Sequence, residues 1–137
     1  MLNSPVSWAL LAMLAWGLWA VVADIATRSV SPTVAMVVSY FVGAGLALGY
    51  VFTRPESIEY TRDGLVTAGV AGVFAGLGAV AFYAGLARGS TSVVTTVSAL
   101  YFVVAAAIGI AVLDEPLTLE RVAGIGFAVV AVVLLAR

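Results

Sequence analysis

The sequence contains no cysteine, no histidine and no lysine. Without thiol or imidazole there is no disulfide, no thiolate or imidazole metal site and no Ser-His or Cys-His nucleophile pair. No metal, no cofactor and no catalytic constellation is expected, so the chain reads as a non-enzyme. Six arginines scattered along the chain provide no basic surface, which removes nucleic acid as a partner. Charge of either sign is scarce: charged residues make up 9% of the chain, against about 25% in soluble domains. Six basic and seven acidic groups cannot clothe the core that 64% hydrophobic residues would build. Lipid is the solvent that fits, and the bilayer is the first expected partner.

What is abundant is apolar sequence in long runs. Charged residues divide the chain into five apolar segments, about 5–23, 32–52, 64–87, 91–113 and 117–136. Each is near the roughly 20 residues a helix rising about 1.5 Å per residue needs to cross about 30 Å of hydrocarbon. Backbone groups in lipid must be satisfied within the segment, which favours helices, and the short alternating runs of a β-barrel are absent. The expectation is an all-α integral membrane protein, a bundle of about five transmembrane helices in a single domain over 1–137. The first run has no basic segment before it and ends at Asp24 rather than at a small-residue cleavage site, so it reads as a retained span.

Local signals fit these bounds. Ser4-Pro5 and Ser31-Pro32 place a capping hydroxyl before a proline suited to the first helical position. Asp63, Ser90 and Thr118 are the expected caps of the third, fourth and fifth segments. Three pairs at small-xxx-small spacing, Gly45/Gly49, Gly72/Gly76 and Gly85/Gly89, mark candidate helix-packing faces, since lipid offers no hydrophobic drive and close backbone approach supplies the contact.

Orientation is unusually balanced. With five spans, Arg54, Arg62 and Arg121 fall on one side and Arg28, Arg88 and Arg137 on the other. Cytoplasmic loops normally hold the excess of Lys and Arg, so this chain lacks the usual instruction, and insertion in both orientations is compatible with it. Many transporters pair two repeats of opposite topology around a midplane site. Two copies of an odd-span chain inserted oppositely would assemble that architecture.

Leu113-Asp114-Glu115-Pro116-Leu117-Thr118, Gly124 and the apolar run after it resemble the EamA-type domain of the drug/metabolite transporter superfamily. In that family a "GE-x-hydrophobic-[ST]" turn links the last two helices. Trp16-Gly17 and the run Ala81 to Ala87 are similar to it as well. The resemblance spans nearly the whole chain as one five-helix repeat, one half of an inverted-repeat transporter. Where the family often has a proline inside helix four, this chain reads Ala99-Leu100-Tyr101-Phe102, so the sequence gives no support for a break there. Members usually carry two fused repeats. The resemblance therefore implies a half-sized permease in the cell membrane, moving a small organic solute by alternating access as a homodimer, with an antiparallel arrangement open.

Depth along the segments selects candidate substrate-binding residues: Trp16 in the first, Ser39 and Tyr40 in the second, Ser98 and Tyr101 in the fourth. Trp and Tyr usually prefer the interface, so mid-depth placement needs a reason, either a bond to a neighbouring helix or a solute pathway. Thr95, Thr96 and Ser98 more often bond their own helix than a ligand. Asp24, Asp63, Asp114, Glu115 and Glu120 all fall at expected helix ends, so coupling through a buried carboxylate is not expected. Asp24 and Arg28, at i and i+4, are expected to pair. A different class of function, a non-transporting membrane subunit packing onto a partner protein, fits the same glycine faces.

Overall fold

The computed structural model describes residues 4–53 and 59–135. These are helical with no strand among them: α1 (Pro5–Thr27), α2 (Pro32–Phe52), α3 (Arg62–Leu86), α4 (Thr91–Ala99), α5 (Tyr101–Val112) and α6 (Leu119–Leu135). Because α4 and α5 together make one 22-residue apolar stretch, Thr91–Val112, four segments have the length and composition to cross a membrane. The 17 residues of α6 form the fifth apolar helix, about 25 Å long. The molecule is an all-helical membrane protein.

Helix starts follow the hydroxyls. Ser4, Ser31 and Ser90 accept from the backbone N–H groups of Ser7, Val34 and Val93, with Pro5 and Pro32 opening the first two helices. Thr118 accepts from the Arg121 N–H at 3.3 Å. At α3 the cap is Thr61 rather than Asp63. Thr61 has the extended backbone that a cap requires and accepts from the Gly64 N–H at 3.1 Å, while Asp63 lies in the first turn, where its carboxylate suits the helix dipole.

The end of α1 departs from the expected segment. The helix runs on to Thr27, so Asp24 lies inside it, not at its end. The physical reason is local: the Arg28 guanidinium donates to the Asp24 carboxylate one turn back, and the Thr27 hydroxyl donates to the Asp24 carbonyl at 2.8 Å. A charge so compensated need not terminate the helix.

The chain divides into two compact units, Met1–Arg88 and Gly89–Arg137. In the first, α1, α2 and α3 pack on one another. Its buried residues are Ala20, Ala23 and Asp24 on α1, Ala35 on α2, and Ala79, Tyr83 and Leu86 on α3. All lie toward the end where α1 finishes, α2 begins and α3 finishes. Alanines there keep the helix axes close, and no residue of α1–α3 is buried toward the opposite end among the described residues. The unit is closed at one end and exposes its apolar faces at the other.

In the second unit α4 packs on α6. The fourth apolar segment is broken at Leu100 without a proline. Around it the backbone bonds are of the tighter i→i−3 kind, Leu100 N–H to Val97 at 3.1 Å and Val103 N–H to Leu100 at 2.9 Å. Upstream, in the hydroxyl-rich α4, the Thr95 side chain donates to the Thr91 carbonyl at 2.6 Å and reaches the Ser92 carbonyl at 3.1 Å. Back-bonding of this kind competes with the helix ladder and often bends helices.

The α5–α6 turn is a compact polar knot. Asp114 has φ 54°, a left-handed conformation that Gly adopts freely and Asp tolerates. The Gly109 carbonyl accepts from both the Leu113 and Glu115 N–H groups, at 3.0 and 3.1 Å. Glu115 lies against Gly109, where an added Cβ would sit 3.2 Å from its carboxyl carbon. Its carboxylate takes a 2.8 Å hydrogen bond from Arg121, which also donates to the Pro116 carbonyl at 3.1 Å.

Candidate functional site

The closed end of the first unit is the best-built polar and aromatic constellation among the described residues. It grows from two short-period faces. On α1, Trp19, Ala20, Ala23 and Asp24 share a side; on α3, Ala79, Phe82, Tyr83 and Leu86 recur at spacings of three and four. The Trp19 ring stacks on Phe82 with centroids 5.0 Å apart and meets Tyr83 edge-on at 5.9 Å. Phe82 and Tyr83 are 6.2 Å apart, also edge to face. Each such pair contributes about 0.5–1.5 kcal/mol beyond simple burial. Tyr83 is 2% exposed, the most enclosed side chain of the unit's core.

From α2, Ser39 completes the cluster by accepting a 2.9 Å hydrogen bond from the Trp19 indole N–H. In a membrane this bond contributes on average about 0.6 kcal/mol, enough to set the facing of two helices though not to hold them alone. Ser39 is thus occupied as an acceptor and retains its own O–H to donate.

One turn nearer the loop lies Asp24, 8% exposed and the only charged residue that is buried among the described residues. Its ion-pair partner Arg28 stands on the same helix, with a side chain 71% exposed. The magnitudes do not balance as a stability device. A carboxylate costs roughly 2.5–3.5 kcal/mol at the centre of a membrane helix and less near its end, whereas an i,i+4 pair at a surface contributes about 0.3–0.5 kcal/mol. The pair also joins no two helices.

The residues selected from sequence fall as follows. Trp16 is 61% exposed, one turn from Ala20 on the side of α1 that leads out of the closed end. Ser39 is half-buried in the aromatic cluster. Tyr40 is exposed, its hydroxyl 3.5 Å from the Ala75 carbonyl of α3, a long hydrogen bond. In the second unit, Ser98 and Tyr101 flank the break at Leu100, both exposed, Tyr101 at 62%. Trp16, Ser39 and Tyr40 thus belong to one unit, and Ser98 and Tyr101 to the other. Trp19, Phe82 and Tyr83 were not among the site residues the sequence selected, and Asp24, expected at a helix end and paired with Arg28, is paired as expected but lies within α1 and is buried. The signal available was the repeat of small residues beside them on α1 and α3.

At the expected packing glycines, a Cβ added to Gly45, Gly49, Gly72 or Gly76 would meet nothing within 4 Å. Gly85 lies in the last turn of α3, its carbonyl accepting the Arg88 N–H at 2.9 Å, and Gly89 in the turn that follows. A shallow concavity lined by Glu59, Tyr60, Thr61, Gly64 and Leu65 at the start of α3 holds none of the expected site residues. No group of three or more Asp or Glu residues suited to a metal occurs among the described residues.

Residues 3–137 match the family model described as the EamA-like transporter family. No curated protein and no solved structure gives a significant match.

Proposed function

The chain belongs to the EamA-like transporter family, and on that premise we propose that it is a permease of the cell membrane that moves a small organic solute by alternating access, working as a dimer. The observation that carries this reading is the one-ended packing of α1–α3. Every buried residue of that unit sits toward the Arg28–Ser31 end, and the faces beyond Trp16 and Tyr40 stay open. A helix group packed toward one end and open toward the other suits alternating access, in which two halves rock against each other about a midplane site.

A second copy of this chain is the partner that fits. An odd number of spans and arginines divided three against three favour copies of opposite orientation. The glycine faces at Gly45/Gly49 and Gly72/Gly76, which no side chain fills, suit close approach of another helix. In the first unit Trp16 and Tyr40 offer aromatic surface and Ser39 a hydroxyl donor, and in the second Tyr101 and Ser98 offer the same two kinds of group, chemistry suited to a small amphipathic or amino-acid-like solute.

The test is reconstitution. Purified protein in liposomes should exchange radiolabelled amino acids or small amphipathic amines across the bilayer, and cysteines placed at the open glycine faces should crosslink chain to chain. Liposomes that exchange none of these solutes, from protein that never yields dimers, would dismiss the reading.

A further inference from the structure

We infer that Trp19 is the latch of a gate: its bond to Ser39 holds the packed end of α1–α3 shut, and solute exchange requires that end to open. This rests on the permease reading, of which it names the moving part.

Position is the first ground. Ser39 lies seven residues into α2 from Pro32, and Trp19 lies eight residues before the end of α1 at Thr27. Both therefore stand roughly 10–12 Å from the packed end, short of a midplane at about 15 Å. On the midplane side Trp16 and Tyr40 are exposed; on the other side Ala20, Ala23 and Ala35 are buried. Trp19 and Ser39 mark the boundary between the closed part of the unit and the open part.

The second ground is how lightly the closed part is held. Four of its buried residues are alanines, Ala20, Ala23, Ala35 and Ala79, which interlock little. Its charged groups stay on their own elements: Arg28 pairs with Asp24 one turn back, and Arg88 donates to the Ala84 carbonyl at 2.7 Å. The hydrogen bond that crosses between helices at this depth is Trp19 to Ser39 at 2.9 Å, whereas the Tyr40 hydroxyl reaches the Ala75 carbonyl of α3 at 3.5 Å. A bond between membrane helices shifts an equilibrium by about threefold on average and by about twentyfold at most. That is enough to bias a gate and too little to lock it.

The third ground is that one side chain reaches every helix of the group. The ring that donates to Ser39 on α2 stacks on Phe82 and meets Tyr83 edge-on, both on α3. Turning the indole away from Ser39 therefore loosens α1 from both neighbours at once. Lipid offers no replacement partner for the freed indole N–H and Ser39 oxygen, but water or a polar solute does. The latch thus yields when the open side is filled and stays closed against hydrocarbon.

The experiment uses the full chain, which has no cysteine of its own, in proteoliposomes loaded with an amino-acid mixture, with counterflow of labelled amino acids as the measure of exchange. Ala23→Cys and Ala35→Cys, introduced together, are joined across α1 and α2 by mercuric ion and released by excess dithiothreitol. Counterflow should fall at least tenfold on joining and return to within about twofold on release, whereas a permanently packed core would be indifferent to the lock. Should that pair disturb folding, Ala20→Cys with Ala79→Cys places the same lock between α1 and α3.

Labelling of a single Ala23→Cys by an impermeant maleimide present on both sides gives a second readout. Trp19→Phe and Ser39→Ala should each raise the labelling rate about threefold. Combining them should add nothing, because one bond is lost, and Ser39→Thr, which keeps the acceptor, should stay within about twofold. Counterflow that persists through the joined pair, labelling unmoved by Trp19→Phe, or a combined variant that rises by the product of the two would overturn the latch and leave the permease reading standing. Absence of counterflow in the unaltered protein would overturn both.

Discussion

Trp19 donates its indole N–H to Ser39 at 2.9 Å, joining α1 to α2 at the depth where the Trp19 ring also stacks on Phe82 of α3. One side chain therefore touches all three helices of the first unit. Polar tethering and aromatic contact converge on it, whereas Trp16, one turn away, is 61% exposed.

Separating the two contributions gives the first prediction. Ser39→Ala should destabilise the protein by about 0.6 kcal/mol, with about 1.7 kcal/mol as the upper bound, because a single interhelical hydrogen bond is lost. Trp19→Phe should cost a similar amount, since it removes the same bond and keeps a ring. Trp19→Ala should cost more, by about 0.5–1.5 kcal/mol for each of the two aromatic pairs that vanish. Unfolding in mixed micelles, followed by helical circular dichroism, measures all three. Equal losses in Trp19→Phe and Trp19→Ala would show that the rings contribute nothing.

The turn at Asp114 gives the second. A φ of 54° strains most residues with a Cβ, while Asp tolerates it and Gly accepts it freely. The left-handed conformation costs L residues roughly 1–2 kcal/mol, and added glycine entropy in the unfolded chain offsets up to about 1 kcal/mol of any gain. Asp114→Gly should accordingly be neutral or raise stability by as much as about 1 kcal/mol, and Asp114→Val should lower it by 1 kcal/mol or more, read as midpoint shifts in thermal unfolding. A stabilised Val variant would mean that the turn does not hold this conformation in the bilayer.

That position also shows how much could be read from the chain alone. In the resemblance a Gly precedes the Glu; here Asp114 stands there, in a left-handed backbone that Gly adopts freely and Asp tolerates. Apolar runs, serine caps and the five-segment plan were legible because lipid and backbone satisfaction leave few alternatives. The break at Leu100 was not, since no proline marks it. The aromatic cluster was hidden for another reason: depth along a helix is readable from sequence, but the side of the helix that meets a neighbour is not fixed when nearly every face is apolar. Asp24 is harder to place, because a charge ordinarily marks the end of an apolar span, whereas here its pairing with Arg28 lets α1 continue to Thr27.

Gly109 and Glu115 give the third prediction. A Cβ on Gly109 would lie 3.2 Å from the Glu115 carboxyl carbon and 3.3 Å from one of its oxygens. Glu115 is a flexible, half-exposed side chain held by Arg121, so it can yield, but only by loosening that 2.8 Å bond. Gly109→Ala should therefore destabilise modestly, by less than about 1 kcal/mol given how little an exposed pair contributes. The penalty should disappear when Glu115 is already Ala. A double-mutant cycle measured by unfolding checks this, and strict additivity would place the source of any Gly109→Ala penalty elsewhere.

The fourth concerns the break itself. If Thr95 bends the fourth span by donating to the Thr91 and Ser92 carbonyls, removing the hydroxyl while keeping the shape should let the ladder close. Thr95→Val does so, and β-branching is unchanged, so helix propensity hardly moves. Spin labels at Ser92 and Val112 should then report a longer separation in Thr95→Val than in the unaltered chain, as a bent 22-residue span straightens. Solute counterflow should fall in the same variant, because Ser98 and Tyr101 owe their position on either side of Leu100 to the bend. An unchanged label distance would locate the cause of the break outside α4, and a changed distance with full counterflow would remove the break from the transport pathway.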